Sequence, residues 1–420
     1  MKSGLASRQP PRPSAQRVLV PANVDPPATT GARRDDRGRT RARPVPAVLF
    51  VDDALLTPFV QLAVVLRRSG YRTIRVTTAA RSAGSTLTRR IAFDRVLHVK
   101  RDALAGLDHL LAAELLVDVQ CSEHVAVDVY RALAHRPAPV GATGWRHRAD
   151  LIDKWKVVRL LDAVGIAHPE AVAGETPPAE AVRVLGLPIV VKPRLGAYGE
   201  GILLARTLGE LEAHLATVRP AEVLFEAFID GTPANYCAVV GEGAERDMTY
   251  RTLRRGEAAW SASIEIACYQ DDAFSEIGRK LAAALPCEGL LNVDAIRDAQ
   301  GRYLVHDVNL RVWGAFFASW SAGYDLTSAY LRWLGDQVRR SAGEQEQTAR
   351  IFPDYADTVW RTGRRAGLRV FAEQLRDYRR LLGVRYVLRE VLHSARVLVS
   401  SRRRPATTTA AKGGEGVQLR

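Results

Sequence analysis

The chain has 420 residues, of which 47% are hydrophobic, so it is long enough to fold into two or three domains with buried cores. It contains no apolar run of about 18 residues or more and no apolar core of a secretory signal near its N-terminus, so we predict neither a membrane span nor Sec-dependent export. The four cysteines are scattered without CxxC spacing, which argues against a zinc site or a disulfide framework and favours a reducing, cytoplasmic location.

The net charge of +14 is concentrated at the two ends of the chain. Residues 1–45 carry +7 and residues 351–420 carry +9, which leaves the central part close to neutral. A folded surface that binds nucleic acid needs clustered basic residues, so we predict no specific nucleic-acid partner. Only seven of the 60 basic residues are Lys, and two of these, Lys154 and Lys192, lie where a phosphate ligand is expected.

Residues 1–45 are rich in Pro, Arg, Ala and Thr without periodicity, and we predict that they are disordered. Residues 46–145 are predicted to form a small α/β domain. Its first three elements make a β-α-β unit, which favours a parallel sheet: a strand at Ala47–Val51, a helix at Ala54–Arg68 and a strand at Tyr71–Thr77. Three more elements follow, a strand at Arg95–Val99, a helix at Ala103–Glu114 and a strand at Leu116–Gln120.

The turn after the first predicted strand reads DDALLTP and contains no GxGxxG, so no dinucleotide site is assigned to it. Asp52 and Asp53 could contact a substrate at the carboxyl end of that strand. The interpretation that we favour is that they cap the following helix.

Lys154 lies at the start of a predicted helix over Asp153–Gly165. Apolar residues at i, i+3, i+4 and i+7 define this helix, Asp153 is its expected N-cap and Gly165 is expected to end it. The N–H groups of a first helical turn favour an anion, so Lys154 is a candidate phosphate ligand. The alternative is an ordinary solvated lysine.

A glycine-rich segment, RLGAYGEG, joins two predicted strands at Leu187–Pro193 and Ile202–Ala205. A Walker loop or a Rossmann fingerprint would join a strand to a helix, and GK[ST] is absent here. Glycines let the backbone approach phosphate oxygens closely and offer N–H groups to them. Lys192, near the end of the first strand, would point its charge at the same phosphates.

The following segments predict a mostly antiparallel sheet flanked by helices. A capping box marks the start of the first helix. The predicted strands are Val223–Ile229, Tyr236–Val240, Met248–Leu253 and Ala258–Ile266, and the predicted helices are Thr207–Val218, Asp272–Leu285 and Tyr324–Trp333.

A β-hairpin is predicted within Asn292–Gly314, where two runs of alternating residues flank a short turn. Side chains alternate faces along a strand, so Asp307, Asn309 and Arg311 share one face of the second strand. Asp294, on the first strand, can lie across from them. Two carboxylates, an amide oxygen and a guanidinium suit Mg²⁺ that holds phosphate. The alternative is a surface hairpin whose polar residues face water.

Taken in their order along the chain, these motifs resemble those of the ATP-grasp superfamily. The resemblance is greatest to its bacterial carboxylate–amine ligases. The resemblance is carried by Lys154 at a helix start, by VKPRLGAYGEG, by EAFIDG and by the hairpin ending HDVNLR. It implies an α/β protein with an α+β ATP-grasp core. The implied parts are a Rossmann-like pre-ATP-grasp domain at 46–145 and a two-lobed ATP-grasp domain at 146–335. The C-terminal region departs from the family pattern, and its residues predict a basic helical extension at 336–405 and a disordered tail at 406–420.

The resemblance also implies a role for each matching residue. Arg311 would be the catalytic residue that steadies the acyl phosphate and the phosphoryl group in transfer. The ligands of Mg²⁺, with Mn²⁺ as an alternative ion, would be Asp294, Asp307 and Asn309. The ATP ligands would be Lys154, Lys192, Gly196, Gly199, Gly201, Glu226, Ala227 and Ile229. Among these, the lysines would contact the α- and β-phosphates, and the segment from Glu226 to Ile229 would hold the adenine.

The implied activity is ATP-dependent joining of a small-molecule carboxylate to an amine through an acyl phosphate. Two positions depart from the family pattern. Pro233 stands where a ribose-binding Glu is usual, with Asn235 as its substitute, and Asp294 stands where some relatives have Glu. The second hypothesis is an ATP-binding protein that has lost turnover, which Pro233 supports and the intact Asp307 and Asn309 oppose. A carboxylating enzyme of the same fold and an adaptor built on the basic ends rank below both.

Three further groups of residues keep more than one interpretation. One group could face the transferred phosphate or be solvated: Arg251, Arg254 and Arg255. Another could line a pocket or belong to the core: Trp313, Phe316, Phe317 and Trp320. Residues 351–405 are predicted to form basic amphipathic helices that lie on an anionic membrane, bind an acidic partner or, as we favour, pack on the core. The resemblance also allows a homodimer.

Overall fold

The computed structural model describes residues 45–335, apart from residues 55, 80–90, 137–144, 197–198, 242–245, 256–262 and 286–287, and it also describes residues 347–350. The predicted disordered segment 1–45 lies outside the described residues except for residue 45, and the predicted helices at 351–405 and disordered tail at 406–420 lie wholly outside them. The predicted division into domains at residues 145 and 335 stays a prediction.

A four-stranded parallel sheet forms the N-terminal part of the described chain, in the order β3-β2-β1-β4. Its strands are β1 (Pro46–Asp52), β2 (Arg72–Thr77), β3 (Arg95–His98) and β4 (Leu115–Cys121). The helices beside it are α1 (Thr57–Arg68), a 3₁₀ helix (Arg101–Gly106), α2 (Leu107–Leu110) and α3 (Glu123–Leu133). The predicted parallel β-α-β unit is confirmed, whereas the helix predicted over Ala103–Glu114 is wrong, because a 3₁₀ helix and a single α-turn occupy that stretch.

A smaller, antiparallel sheet of four strands follows, in the order β5-β8-β6-β7. Its strands are β5 (Ala171–Ala173), β6 (Ile189–Pro193), β7 (Leu203–Ala205) and β8 (Val223–Ala227). The helices of this region are α4 (Trp145–Leu151), α5 (Lys154–Val164), α6 (Pro178–Leu185), α7 (Leu208–Leu215) and a 3₁₀ helix (Pro220–Glu222). The glycine-rich segment lies between β6 and β7, as the sequence predicts.

The largest sheet has six antiparallel strands in the order β13-β12-β9-β10-β11-β14. Its strands are β9 (Gly231–Val240), β10 (Arg246–Arg255), β11 (Ser263–Tyr269), β12 (Gly289–Asp298), β13 (Tyr303–Asn309) and β14 (Gln347–Arg350). Its helices are α8 (Asp272–Ala284), α9 (Ala318–Ser321) and α10 (Leu326–Trp333). Strand β14 lies inside the stretch that was predicted to be a helical extension, so the prediction is wrong for those residues.

Apolar cores cover both faces of the six-stranded sheet. On one face, Tyr236 and Val293 pack with residues of α5 and α8. On the other, Met248 and Tyr250 share a core with α1 and α10. The parallel sheet and the six-stranded sheet are therefore joined by one continuous core, which fixes how their strand ends face each other.

A buried polar network connects the same two sheets. The carboxylate of Asp118, which is fully buried on β4, accepts hydrogen bonds from Tyr330 at 2.6 Å and from Arg148 at 3.2 Å. The side chain of Gln120 accepts a hydrogen bond from the Val312 N–H at 2.7 Å. Because a buried donor or acceptor is costly to leave without a partner, these bonds define the orientation of β4 against the segment after β13.

Candidate active site

The predicted hairpin is confirmed, with β12 and β13 paired antiparallel. Asp294 lies directly opposite Asp307, and Asn292 lies opposite Asn309, so these four side chains share one face. The Asn309 amide nitrogen is 3.5 Å from a carboxylate oxygen of Asp294 and 3.5 Å from one of Asp307. Both carboxylates therefore converge on one point.

Amide groups surround the carboxylate of Asp294. It accepts hydrogen bonds from Asn292 at 3.0 Å, from Asn309 at 3.5 Å and from Asn235. Asn235 reaches it from β9, where it pairs in register with Asp294. The sequence had suggested Asn235 only as a substitute for a ribose contact, and it had not singled out Asn292. A polar residue that interrupts the apolar face of a strand was the available signal for both.

The carboxylate of Asp307 faces cations as well as the amide of Asn309. Its nearest cation is Lys154, whose Nζ lies 3.9 Å away. Burial raises the pKa of Asp307, but the charges of Lys154, His306 and Lys192 outweigh that effect and hold the pKa of this carboxyl below its usual value. Asp307 therefore stays ionised and available to a metal ion.

The position of Lys154 is set by the N-terminus of α5. Asp153 is the predicted N-cap and accepts the Trp155 N–H at 3.0 Å, while Gly165 closes the helix with a left-handed backbone at φ +63°. Arg194 holds Asp153 with two hydrogen bonds, at 3.0 and 2.6 Å, and its carbonyl accepts the Lys154 N–H at 3.0 Å. This contact fixes the first turn of α5 against the end of β6. No sequence pattern pointed to Arg194.

Lys192 is buried on β6 and connects the two antiparallel sheets. Its Nζ lies 2.5 Å from the Glu226 carboxylate on β8 and 3.5 Å from the His306 carbonyl on β13. The lysine is thus held at the same edge as Asp307, which is the next residue after His306. The carboxylate of Glu226 is bound to Lys192 in this arrangement.

The segment predicted to hold adenine begins on β8 and leaves the sheet after Ala227. The Ala227 N–H donates to the Glu170 carbonyl at 2.8 Å, and the Phe228 N–H donates to the Pro188 carbonyl at 3.3 Å. Ile229 follows in the link between β8 and β9. Strand β8 is therefore two residues shorter than predicted, and Ile229 lies outside it.

The glycine-rich loop folds toward Lys154. The carbonyl of Gly196 accepts a hydrogen bond from Lys154 Nζ at 2.7 Å. All three predicted glycines have positive φ, at +150° for Gly196, +75° for Gly199 and +71° for Gly201. At its far end, Glu200 lies 3.5 Å from His124 of α3. The loop therefore spans from α5 to the parallel sheet.

Arg311 lies beyond the end of β13, which stops at Asn309, so the predicted alternation of faces does not extend to it. Both Nε and Nη2 of its guanidinium contact one oxygen of Glu123, and Nη1 donates to the Val312 carbonyl at 3.0 Å. Glu123 is the first residue of α3, so this ion pair joins the hairpin to the parallel sheet. The sequence had not predicted Glu123 as a partner.

Two open questions from the sequence are answered. Trp313, Phe316 and Phe317 are buried in the shared core, so they are core residues. The favoured prediction that Asp52 and Asp53 cap α1 is wrong, because its N-cap is Leu56 with no side-chain bond. Asp52 instead binds Arg75 and Thr77, and Asp53 accepts the Ser122 hydroxyl at 2.8 Å.

Arg251 and Arg254 of β10 lie away from the carboxylates. By strand register Tyr250 shares the face of Asn235 and Asp294, so Arg251 lies on the opposite face. Arg254 is 3.7 Å from Glu265 on the neighbouring strand. The side chain of Arg255 lies outside the part of the chain that the structure describes.

The residues present fit a magnesium ion. Mg²⁺ binds through one or two carboxylates and takes its other oxygens from phosphate and water, which matches Asp294 and Asp307 beside Asn309. Within the described ranges, no group of three or more His, Cys, Asp and Glu side chains is arranged to hold a metal. Nor is any of the described helices both long and apolar enough to span a membrane.

Comparison with protein families gives one match, in which residues 151–315 fit the model of the ATP-grasp domain. The chain is 27% identical over 190 residues to D-alanine–D-alanine ligase B of Chromobacterium violaceum, which covers 41% of this chain and 61% of that protein. It is 31% identical over 189 residues to D-alanine–D-alanine ligase of Alcanivorax borkumensis, covering 42% and 60%. The chain therefore spans about three fifths of the length of these curated relatives.

Solved structures share the fold at low sequence identity. An ADP complex of N5-carboxyaminoimidazole ribonucleotide synthetase superimposes with a TM-score of 0.61 at 14% identity, covering 76% of this chain and 85% of that one. The enzyme of that name from Thermus thermophilus superimposes with a TM-score of 0.58 at 16% identity, covering 80% and 98%. The predicted α/β fold with an ATP-grasp core is confirmed.

Proposed function

Because residues 151–315 form an ATP-grasp domain, we propose that this protein is an ATP- and Mg²⁺-dependent ligase that activates a carboxylate as an acyl phosphate for attack by an amine. The observation that carries this proposal is the position of Lys154. Its Nζ lies 2.7 Å from the Gly196 carbonyl and 3.9 Å from Asp307, so a cation, the glycine loop and a carboxylate meet at one point. A nucleoside triphosphate with a bound cation needs these three groups together.

The ATP ligands are part of the proposal. Lys154 and Lys192 contact the α- and β-phosphates, and a loop containing Gly196, Gly199 and Gly201 closes over them. The segment from Glu226 to Ile229 holds the adenine, while the Glu226 carboxylate keeps Lys192 in place. This division of roles is supported by the 2.5 Å contact between Lys192 and Glu226.

Asp294, Asp307 and Asn309 would hold the magnesium ion. When bound, Mg²⁺ supplies charge neutralisation at the phosphate oxygens during phosphoryl transfer. The ion pairing of Asp307 with Lys154 keeps this carboxylate anionic, as a metal ligand must be. Replacement of Mg²⁺ by Mn²⁺ stays a prediction.

The reaction has two steps. An oxygen of the substrate carboxylate attacks the terminal phosphorus of ATP, which forms an acyl phosphate and releases ADP. The amine nitrogen then attacks the acyl carbon, phosphate leaves and one proton is released. Arg311 and the lysines supply positive charge without forming a covalent bond, and removing one such group costs about 10²–10³ in rate.

Both substrates are proposed to be small molecules. The relatives found by sequence are named for joining two alanines, so amino acids are the first acids and amines to test. A cytoplasmic location also stays a prediction. It is supported by three cysteines that are free and buried, Cys121, Cys237 and Cys268. The homodimer and a contact with a membrane or an acidic partner through residues 351–405 remain untested predictions.

The test is ADP release from ATP and Mg²⁺ across a panel of amino acids and small carboxylates. Substrate-dependent release that is lost in Asp307→Ala, and kept in the exposed control Asp272→Ala, is the expected result. If ATP binds and no substrate stimulates release, the alternative of a non-catalytic ATP-binding protein is favoured. If ATP does not bind, the assignment of the site is overturned.

A further inference from the structure

In the ion pair between Glu123 and Arg311, only one of the two carboxylate oxygens of Glu123 contacts the arginine. Both Nε and Nη2 of Arg311 lie against Oε1 of Glu123. The other oxygen, Oε2, is buried and has no hydrogen-bond partner among the residues that the structure describes. The side chain of Glu123 is only 7% exposed, so solvent does not supply the missing donor.

Two other buried or half-buried Arg–Asp pairs provide an internal comparison. Arg75 donates Nε to one oxygen of Asp52 at 2.8 Å and Nη2 to the other at 2.7 Å. Arg194 binds the two oxygens of Asp153 in the same way, at 3.0 and 2.6 Å. In both pairs, as planar two-bond pairing favours, each carboxylate oxygen has a donor, and in buried Asp118 the two oxygens likewise have donors, Arg148 on one and Tyr330 on the other. Glu123 departs from that pattern.

Glu123 also lies where a substrate is expected to enter. It starts α3 directly after β4, at the carboxyl edge of the parallel sheet, which is where open α/β sheets bind ligands. The neighbouring Ser122 donates its hydroxyl to Asp53 at 2.8 Å, so a second carboxylate lies beside it. On the other side, His124 lies 3.5 Å from Glu200 of the glycine loop. The loop therefore reaches the same helical turn.

We propose that Glu123 is the amine-binding residue of this site: Oε1 orients Arg311, and Oε2 accepts an N–H of the substrate amine in its ammonium form. A carboxylate accepts hydrogen bonds and repels anions, so this oxygen does not suit the carboxylate substrate or a phosphate. The ammonium would lie on one side of the ion pair and the acyl phosphate on the Arg311 side, and Oε2 would take the proton that the nitrogen must lose before it attacks the acyl carbon.

This inference rests on the proposed ligase function. Its test is chosen so that a negative result for Glu123 can be told apart from a negative result for the ligase function. The variant is Glu123→Gln, which keeps the shape and an oxygen for Arg311 but replaces the charged oxygen with an N–H donor group. The matched control is Asp128→Asn on the same helix, whose exposed pair with Arg101 spans 3.3 Å. The probes are a panel of amino acids and short primary amines, each with the alcohol that has a hydroxyl in place of the amine.

In Glu123→Gln we expect the KM for the amine to rise about 10- to 100-fold, the size expected for one hydrogen bond to a charged group. The KM for the carboxylate and the Kd for MgATP should change less than about twofold, and Asp128→Asn should match wild type. Arg311→Lys should lower kcat for every amine without that selective rise in KM. Where no amine supports turnover, the rise in melting temperature caused by each compound of the same panel replaces KM. Amines should then stabilise wild type more than their alcohols do, whereas Glu123→Gln should show no such difference.

The inference would be overturned if Glu123→Gln changed the KM for the amine and the KM for the carboxylate equally. It would also be overturned if wild type and Glu123→Gln discriminated equally between amines and alcohols. Glu123 would then be only a contact between sheets. Those outcomes leave the ligase proposal standing whenever wild type binds MgATP and releases ADP in the presence of a carboxylate. Failure of wild type to bind MgATP would instead overturn the ligase proposal itself.

Discussion

Lys192 and Glu226 form a buried ion pair between β6 and β8, neighbouring strands of the antiparallel four-stranded sheet. Nζ of the lysine lies 2.5 Å from Oε2 of the glutamate. The side chains are 9% and 4% exposed, so each charge depends on the other for compensation. The lysine also reaches the His306 carbonyl of β13 at 3.5 Å. One cation therefore holds the two antiparallel sheets together at the point where phosphate is proposed to bind.

The change Lys192→Met should separate the structural role of this lysine from its role in ATP binding. Leaving Glu226 buried without a cation should lower the free energy of unfolding by about 3–5 kcal/mol. The double variant Lys192→Met/Glu226→Gln should recover most of that loss, as measured by urea unfolding, but should not recover MgATP affinity measured by calorimetry. Recovery of MgATP affinity in the double variant would show that Lys192 does not contact the nucleotide.

The change Asp153→Ala should weaken MgATP binding from a position outside the proposed contacts. It removes the N-cap of α5 and the two hydrogen bonds from Arg194, which together place Lys154. Loss of a cap costs about 1 kcal/mol, and the lost ion pair adds to that cost. Thr207→Ala is the matched control, because Thr207 caps α7 through a 3.2 Å bond to the Glu210 N–H away from the site. Both variants should lose stability in urea, and only Asp153→Ala should raise the Kd for MgATP.

The stability of the nucleotide-free protein should depend on pH through Asp307. The charges of Lys154, His306 and Lys192 lower the pKa of this carboxyl in the folded state despite its burial. A lowered pKa contributes stability above the unfolded value, about 4, and that contribution is lost as the pH falls through the folded-state value. The difference in the free energy of unfolding between wild type and Asp307→Asn should therefore shrink as urea titrations move from about pH 6 toward pH 3. A difference that grows on acidification would contradict the direction of the shift.

The parts of the site that the sequence could predict are those with local patterns. Alternation placed Asp294 and Asp307 on one face of a hairpin, and the cap at Asp153 with Gly165 at the other end fixed the extent of α5. These signals lie within a few residues of the groups they position, so one sequence is enough to show them.

The pairings across the fold could not be predicted in this way. Glu226 is 34 residues from Lys192, and Glu123 is 188 residues from Arg311. A single sequence carries periodicity and propensity, but it does not record which strand ends meet once the sheets share a core. The wrong prediction for Asp52 has the same origin, since its partner Arg75 lies on the neighbouring strand β2. The contact of 3.9 Å between Lys154 and Asp307 likewise depends on the packing of α5 against β13.

The change Gly201→Ala tests whether the glycine loop needs its close approach to β6. A Cβ at Gly201 would lie 2.8 Å from Cγ of Pro193, the residue after Lys192, and the backbone there has φ +71°. Gly186→Ala is the control, because φ is +72° and no atom lies within 4 Å of the added Cβ. The positive φ should cost each variant about 1–3 kcal/mol, seen in urea unfolding, with Gly186 also at ψ 177°.

Only Gly201→Ala should also push the loop away from Pro193. We therefore expect a higher KM for ATP and slower ADP release in Gly201→Ala, and wild-type kinetics in Gly186→Ala. Since both changes strain a backbone with positive φ and only Gly201→Ala adds a clash, a kinetic effect confined to Gly201→Ala reports the packing of the loop on β6. Identical kinetics in the two variants would mean that the loop closes over phosphate without resting on Pro193, and Lys154 alone, through the Gly196 carbonyl, would then set its position.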